Sequence, residues 1–439
     1  MVDSLQIWLY GMRVAVVEQN RQRLRLEYTA EARAEYEGGT PLLSLSLPVS
    51  AEVFGNGVVR PFLDGLLPEG DPLLAVAAEL GLRSNDTFGL IRALGRDCAG
   101  AIVIQPSDSP PPAAATTTTA EPLDEDELIR LVSNLRTTPL GANERVRISL
   151  GGAQEKLVLT KMPDGRWGRP VDGTPSTHIL KPEIRGYPYS VENEAFCMRV
   201  AKHLGIPVAD VTTIRAGDRP LIVVSRYDRI VDEHGRVERI HQEDFCQATG
   251  LPPARKYEED GGPKFRAIAT VLGGVAPDSL PTLLSYVVMQ VLVGNGDAHA
   301  KNYSLLHSRD GSLGLAPLYD VMSTMHYGLD RLAMYVDQVP RLDRVSKDGV
   351  IREATSWGMS HAIAERVVDN LLERAAEALV LASEDTPGLP AQVPEMIDSQ
   401  LKRLRSSWSS EGTGYHFVCG ASSHVLSLNG SMNGADLFD

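Results

Sequence analysis

The stretch GNGDAHAKNYS, residues 294–304, decides how the rest of this sequence is interpreted. It places Asp297 and Asn302 five positions apart, directly after the apolar run LLSYVVMQVLV at residues 283–293. A further acid, Asp320, follows eighteen residues after Asn302. Because Asp and Asn also cap turns, a turn between a helix and a strand is an alternative interpretation of the same residues.

An aspartate, four intervening residues and an asparagine, with a later aspartate, form the arrangement that protein kinases use for phosphoryl transfer. The first aspartate accepts the proton of the attacking hydroxyl, while the asparagine and the second aspartate hold the metal ions that bridge the nucleotide phosphates. The pattern therefore makes Asp297 the candidate base, and Asn302 and Asp320 the candidate metal ligands. Such a site also needs a phosphate-binding loop and a positioned lysine.

A candidate phosphate loop lies at residues 147–156, RISLGGAQEK, where two glycines precede a lysine and a predicted strand. Backbone N–H groups of a glycine loop can approach phosphate oxygens closely because no Cβ stands in the way. The spacing matches neither GxxxxGK[ST] nor GxGxxG. An ordinary Gly-Gly turn remains the alternative.

A candidate lysine–glutamate pair follows this loop. Lys181 ends a predicted strand, and Glu194 lies thirteen residues later in the first turns of a predicted helix. In kinases such a pair orients the lysine toward the α- and β-phosphates, whereas the alternative is a solvated lysine and a surface glutamate. The apolar strand at 221–224 then leads to residues 225–227, which we predict to be a hinge where Tyr227 packs on adenine.

Two further segments are interpreted from pattern alone. FLDGLLPE, residues 62–69, is predicted to be a short core helix ended by Pro68. KYEEDGGP, residues 256–263, is predicted to be an exposed acidic loop.

The length, composition and charge of the chain limit the classes of protein to which it can belong. The chain has 439 residues, of which 43% are hydrophobic, and this length suffices for two or three domains with full cores. Its 43 Lys and Arg against 57 Asp and Glu give a net charge of −14, which argues against broad nonspecific binding to nucleic acid by this chain alone. The four cysteines are scattered, and neither a signal peptide nor an apolar run of membrane-spanning length is present. We expect a cytoplasmic protein.

The chain is predicted to be an α+β protein with a two-lobed, kinase-like fold. We expect a β-rich N-terminal lobe with an added N-terminal subdomain, and an all-helical C-terminal lobe. The low-complexity segment PSDSPPPAAATTTTAEP is predicted to be a linker without a packed conformation. The predicted boundaries are an N-terminal subdomain at 1–105, the linker at 106–122, the N-lobe at 123–240, the C-lobe at 241–410 and a weakly ordered tail at 411–439.

Taken together, these motifs resemble the HipA family of bacterial toxin kinases. The resemblance is carried by LSLSLP (43–48), FLDGLLPE (62–69), GRDCAGA (95–101), RISLGGAQEK (147–156), THILK (177–181), VENEAFC (191–197), QEDFCQATGLP (242–252), YEEDGGP (257–263), GDAHAKNYS (296–304) and PLYD (317–320). It runs over nearly the whole length, to about residue 405, and the SxxGAQEK and GDxHxKN motifs are specific to that family.

The resemblance implies a serine/threonine protein kinase that uses ATP and Mg²⁺. It implies that Asp297 is the catalytic base, that Asn302 and Asp320 hold Mg²⁺, and that Ser149 is autophosphorylated as an off-switch. The family's hinge acid is replaced here by Ser225. The residues that it places around the nucleotide are Gly151, Gly152, Ala153, Gln154, Glu155, Lys156, Lys181, Ser225, Arg226, Tyr227, His299, Lys301, Asn302, Tyr319 and Asp320.

The resemblance also implies partners. They are a HipB-like antitoxin with a helix-turn-helix, DNA only indirectly through that antitoxin, and a protein substrate such as an aminoacyl-tRNA synthetase; no membrane partner is expected. Two alternatives remain open at the level of sequence. One is a kinase-like co-repressor scaffold without strong catalysis, and the other is a small-molecule kinase of similar lobes, such as an aminoglycoside-modifying type.

Overall fold

The fold is described from a computed structural model covering residues 3–112, 115–117, 120–136, 149–171 and 173–406. The predicted tail at 411–439 lies outside these residues, as do parts of the predicted linker and the first two residues of RISLGGAQEK. Among the described residues, no helix has the length and apolar character needed to cross a membrane.

The N-terminal subdomain is a four-stranded antiparallel sheet with four helices. Its elements are β1 Asp3–Leu9, β2 Met12–Asn20, β3 Arg23–Tyr28, α1 Ala30–Glu35, α2 Asn56–Leu66, α3 Gly70–Glu79, α4 Thr87–Leu94 and β4 Ile102–Pro106. The strand order is β3-β2-β1-β4. Leu5, Ile7 and Leu9 alternate along β1 and point into a core closed by α2 and α4, as the period of two in a half-buried strand requires.

The N-lobe is built on a six-stranded sheet of order β10-β11-β9-β7-β8-β6. Its elements are β5 Ala115–Thr117, β6 Glu121–Pro122, α5 Glu125–Ser133, β7 Leu157–Lys161, β8 Trp167–Arg169, β9 His178–Pro182, α6 Ser190–His203, β10 Val211–Ala216, β11 Arg219–Ser225, β12 Arg229–Val231 and β13 Arg236–Arg239. Helix α6 lies against β10 and β11. Ten of its fourteen residues are buried, and this burial fixes the position of Glu194.

The C-lobe is mainly helical. Its elements are β14 His241–Asp244, α7 Phe245–Ala248, α8 Phe265–Val275, α9 Leu280–Val293, β15 Ser304–His307, β16 Leu313–Leu315, β17 Arg331–Val336, β18 Val339–Arg341, α10 Lys347–Ser356, α11 His361–Glu384 and α12 Gln392–Arg405. The two-lobed α+β prediction is confirmed. The lobe is not all-helical as predicted, because β14-β15-β16 and the β17–β18 hairpin form two small antiparallel sheets.

The predicted linker is partly ordered, which corrects the expectation that residues 106–122 lack a packed conformation. Strand β5 pairs with β13, and β6 pairs with the edge of the N-lobe sheet at β8. Thr and Ala are compatible with an added edge strand, since the backbone hydrogen bonds of the ladder do not require large side chains. Low complexity therefore did not mean absence of structure here.

The N-terminal subdomain contacts both lobes. On the N-lobe side, the carboxylate of Asp97 accepts hydrogen bonds from the Ser176 backbone N–H at 2.9 Å and from the guanidinium of Arg229 at 2.9 Å. On the C-lobe side, the Ser44 hydroxyl donates to Glu243 at 2.5 Å and the amide of Gln247 donates to the Phe62 carbonyl at 3.0 Å. The subdomain therefore bridges the two lobes on the side where the site described next is found.

Candidate active site

A cleft of about 220 Å³ lies between the lobes and collects most of the predicted site residues. Those that line it are Gly151, Gly152, Ala153, Gln154, Lys156, Lys181, Ser225, Arg226, Tyr227, Asp297, His299, Lys301, Asn302, Tyr319 and Asp320. Glu155 and Ser149 are not among the lining residues. Residues from five separate stretches of the sequence thus meet at one place.

The segment from Asp297 to Asn302 is positioned by the buried helix that precedes it, α9. Helix α9 is apolar and buried on nearly all sides, and it ends at Gly294, whose φ of +71° favours glycine. At Gly296 a Cβ atom would lie 2.3 Å from the Arg331 carbonyl oxygen, so no side chain fits there. The next side chain, Asp297, opens onto the cleft, and its Oδ1 accepts a hydrogen bond from the Tyr257 hydroxyl at 2.9 Å.

The predicted lysine–glutamate pair is formed. Lys181 Nζ lies 2.9 Å from Glu194 Oε1 and 2.5 Å from Asp320 Oδ1, while Asn302 Nδ2 donates to Asp320 Oδ2 at 3.0 Å. Burial alone would lower the pKa of Lys181, but the two carboxylates outweigh it and raise that pKa above its ordinary value. Burial would likewise raise the pKa of Asp320, yet Lys181 lowers it to about 2. The lysine and Asp320 are therefore both charged at neutral pH.

Asp320 is held in an unusual backbone conformation. Its φ is +59°, in the left-handed region that a residue with a side chain seldom adopts. Strain of this kind persists only where surrounding contacts determine it, and it concentrates at functional sites. The conformation aims the carboxylate at both Lys181 and Asn302.

The glycine loop carries a second lysine into the cleft. Lys156 Nζ donates to the Gly151 carbonyl at 2.6 Å, and Gly152 has a φ of +103°. Burial and the neighbouring Lys181 lower the pKa of Lys156 to about 8. An anionic ligand beside this ammonium would raise the pKa of Lys156 back toward its ordinary value.

Ser149 is buried against the N-terminal subdomain. It is fully buried, its hydroxyl donates to the Leu66 carbonyl at 2.7 Å, and its backbone N–H donates to the Asp97 carbonyl at 2.9 Å. In this conformation its hydroxyl does not face the cleft.

One side chain of the predicted hinge, that of Arg226, is occupied by other residues of the protein. The guanidinium of Arg226 is bound by Asp228 at 2.8 Å and lies 3.5 Å from Asp97, with only 2% of its side chain exposed. The ring of Tyr227 lies 5.6 Å from that of Tyr319 and lines the cleft. The ring of Tyr227 therefore faces the cleft, whereas the Ser225 backbone N–H already donates to the Asp210 carbonyl at 2.9 Å, and the Arg226 side chain holds the hinge in place.

His299 and Lys301 occupy different positions within their short turn. Burial and the charge of Lys256 lower the pKa of His299 to about 3, and its Nδ1 has no hydrogen-bond partner among the described residues. Lys301 Nζ instead donates to the Gly65 carbonyl at 3.1 Å and to Asp244 at 2.9 Å. A buried neutral imidazole with an unused nitrogen at the cleft is suited to a polar ligand.

Sequence reasoning missed several residues of this site. Lys256 and Glu258 are buried, so the prediction that residues 256–263 form an exposed acidic loop is wrong at these positions. Lys256 pairs with Glu69 from the N-terminal subdomain at 2.9 Å, and the adjacent Tyr257 contacts Asp297. The helix predicted at 62–69 is present only to Leu66, where α2 ends, and Glu69 lies beyond it.

The residues present fit a magnesium–nucleotide complex. The oxygens of Asn302 and Asp320 are hard ligands, and Mg²⁺ at nucleotide sites takes only one or two carboxylates beside phosphates and water. No cluster of three or more His, Cys, Asp or Glu able to hold a metal occurs among the described residues, so phosphate oxygens would have to complete the shell. Lys156 and Lys181 supply positive charge beside that position, and the orphaned His299 nitrogen adds a polar group.

Comparison with known proteins gives concordant results. Residues 148–379 match the HipA-like C-terminal domain and residues 5–105 match the HipA N-terminal domain. A putative kinase of Sinorhizobium fredii is 40% identical over 92% of this chain and 98% of its own length. The serine/threonine-protein kinase toxin HipA of Shewanella oneidensis is 33% identical over 69% of this chain and 71% of its own.

The fold is shared with a solved assembly. A chain in the complex of Shewanella oneidensis HipA, HipB and its operator DNA superposes with a TM-score of 0.76 at 26% identity, covering 91% of this chain and 95% of that chain.

Proposed function

This chain belongs to the HipA family of serine/threonine protein kinases, and from that premise we propose that it uses ATP and Mg²⁺ to phosphorylate a protein hydroxyl as the toxin of a toxin–antitoxin pair. The observation that carries the proposal is the hydrogen-bonded cluster of Lys181, Glu194, Asn302 and Asp320 beside Asp297 in one cleft. These are the groups that phosphoryl transfer needs for positioning and charge neutralisation.

Each residue has a part in the proposed reaction. When bound, ATP supplies the phosphoryl group, and Mg²⁺ held by Asn302 and Asp320 neutralises its charge. Lys181, oriented by Glu194, binds phosphate oxygens. Asp297 accepts the proton of the substrate hydroxyl, and its carboxylate is oriented by the hydrogen bond from Tyr257.

Autophosphorylation at Ser149 is proposed as an off-switch. Its hydroxyl is fully buried against the Leu66 carbonyl, where a phosphate with a charge of about −2 would face an acceptor and not a donor. The modified residue therefore cannot keep this position, and the glycine loop that follows it would be displaced. Mass spectrometry of the protein after incubation with ATP tests whether Ser149 carries phosphate; an unmodified Ser149 under conditions where another protein is phosphorylated would contradict the switch.

The partners are proposed from the family. A HipB-like antitoxin is supported by the similar chain's assembly with HipB and operator DNA, and DNA would be reached through that antitoxin. The net charge of −14 argues against broad nonspecific binding to DNA by this chain alone. An aminoacyl-tRNA synthetase is the proposed substrate and a cytoplasmic location the proposed compartment.

The scaffold alternative is disfavoured by the complete set of catalytic groups. The decisive experiment incubates the purified chain with radiolabelled ATP and Mg²⁺, with and without candidate protein substrates. We expect transfer by the natural chain, and Asp297→Asn should abolish transfer while ATP binding is retained. Asp278→Asn, an exposed aspartate of the same lobe, is the matched control. Label on a small molecule and on no protein would instead favour a small-molecule kinase.

A further inference from the structure

Glu69 brings a carboxylate of the N-terminal subdomain against two lysines that line the active-site cleft, Lys256 and Lys301. It lies between α2 and α3, and only 12% of its side chain is exposed. Its Oε2 is 2.9 Å from Lys256 Nζ, and its Oε1 is 3.5 Å from Lys301 Nζ. Its backbone N–H donates to the Gly152 carbonyl at 3.2 Å, so one residue contacts both the glycine loop and two lysines of the C-lobe.

The first connection from Glu69 runs through Lys301. This lysine lies inside the short turn between Asp297 and Asn302. Its ammonium donates to the Gly65 carbonyl and to Asp244, and Glu69 is the third acidic or carbonyl partner around it. Glu69 Oε1 lies 3.5 Å from the ammonium nitrogen, within ion-pair distance but without a hydrogen bond. The turn is thereby tied to the N-terminal subdomain.

The second connection runs through Lys256. The backbone carbonyl of Lys256 accepts a hydrogen bond from the Ala300 N–H at 3.2 Å, inside the same turn. The next residue, Tyr257, donates its hydroxyl proton to Asp297 Oδ1 at 2.9 Å. A displacement of Lys256 would therefore move the group that orients the proposed catalytic base.

The carboxylate of Glu69 balances the charges of Lys256 and Lys301. Burial would raise the pKa of Glu69, but Lys301 and Lys256 outweigh it and lower that pKa to about 2. The carboxylate is thus charged at neutral pH and lies between two buried ammonium groups. Without it these two groups would repel each other at the base of the catalytic turn.

We propose that Glu69 is a positioning residue for phosphoryl transfer, through which the N-terminal subdomain holds the turn from Asp297 to Asn302 in its working geometry. The inference rests on the proposed kinase function and deepens it, since it makes the subdomain part of the active site. It does not require Glu69 to touch ATP or the substrate.

The test compares Glu69→Gln, Lys256→Met and the double variant with the natural chain. Glu69→Gln keeps the shape of the side chain and removes its charge. We expect kcat to fall about 10- to 100-fold, the loss typical of a catalytic group displaced by about 1 Å, with the dissociation constant for ATP changed less than about twofold. Because the side chain of Lys256 acts through its ion pair with Glu69, its removal from the Glu69→Gln variant should add no further loss, and the double variant should lose no more than the worse single variant.

Glu79→Gln, an exposed glutamate at the end of α3, is the matched control and should behave like the natural chain. Amide hydrogen exchange of residues 295–303 supplies a readout that needs no turnover, and it should be faster in Glu69→Gln than in the control. If Glu69→Gln does not fold, Lys256→Met removes the other end of the same ion pair and makes the same comparison.

The outcomes distinguish failure of the positioning role of Glu69 from failure of the proposed kinase function. A kcat for Glu69→Gln within twofold of the natural chain, unchanged exchange, or losses that multiply in the double variant would overturn the positioning role. If the natural chain itself transfers no phosphate, the proposed function fails, and the exchange comparison still decides whether Glu69 holds the turn.

Discussion

Substitution of Asp97 by asparagine should destabilise the protein severely. Asp97 is 1% exposed, and its carboxylate faces three buried guanidinium groups, those of Arg229 at 2.9 Å, Arg239 at 3.4 Å and Arg226 at 3.5 Å. Asp228 is the other carboxylate beside Arg226 and Arg229. The substitution therefore leaves three buried positive charges facing one negative charge.

The expected magnitude follows from the burial. Removing one partner of a buried ion pair costs about 3–5 kcal/mol because the remaining charge is neither solvated nor compensated. Asp97 Oδ2 accepts hydrogen bonds from both the backbone N–H and the hydroxyl of Ser176. An asparagine amide nitrogen in the place of this oxygen could accept neither bond. At about 1 °C per kcal/mol for a cooperative unit of this length, Tm should fall by about 3–6 °C.

Thermal unfolding followed by circular dichroism measures this effect. Asp108→Asn, an exposed aspartate just after β4, is the matched control and should leave Tm within about 1 °C, as a surface substitution does. A Tm for Asp97→Asn within about 2 °C of the natural chain would refute the view that this cluster fastens the N-terminal subdomain to the hinge.

Two further predictions concern the cleft and the dependence of stability on pH. Lys181→Met should weaken ATP binding about 10- to 100-fold, because a charge-assisted hydrogen bond contributes about 1.5–3 kcal/mol. Titration calorimetry measures the dissociation constant for ATP, with substitution of the exposed Lys202 by methionine as the control. Equal affinities of the two variants would contradict the proposed role of Lys181. Stability should fall as pH decreases below about 6.5, because three histidines have folded-state pKa values of about 3 to 4, well below the ordinary 6.5, and therefore take up protons on unfolding. Each contributes at most about 1.4 kcal/mol per pH unit, so the urea midpoint should drop clearly between pH 7 and pH 5, and an unchanged midpoint would be inconsistent with neutral buried imidazoles. These histidines are His178, His241 and His299.

Much of the catalytic part of the site could be predicted because it is encoded locally. Asp297 and Asn302 share one short turn, and the helix that precedes them is recognisable from its continuous apolar run. Lys181 and Glu194 lie thirteen residues apart on a strand and a helix, each with a clear local pattern. The Lys181–Glu194 pairing was confirmed at 2.9 Å.

The contributions from the N-terminal subdomain could not be predicted in this way. Glu69 and Lys256 are 187 residues apart, and no periodicity or motif spacing connects them. Both lie in segments with a simpler local explanation, one at the end of a predicted core helix and one beside a run of acids. Polar residues that meet only in the tertiary structure carry no local signal beyond their type.

The linker was misjudged for a different reason. Its alanine and threonine residues offer no alternating hydrophobic pattern, yet β5 is stabilised by backbone pairing with β13. A strand added at a sheet edge depends on the edge that receives it, and that edge is not visible in the strand's own sequence.

The position of the N-terminal subdomain across both lobes has a consequence for how this protein can be divided. Removal of residues 1–105 would follow the end of the matched N-terminal domain. It would also remove the Leu66 carbonyl that accepts from Ser149 and the Asp97 carboxylate that pairs with the hinge arginines. Residues 123–406 produced alone would expose those charges to one another. The boundary at which the two domains meet in sequence is therefore not a boundary of cooperative folding, and a minimal active fragment must begin at the first strand.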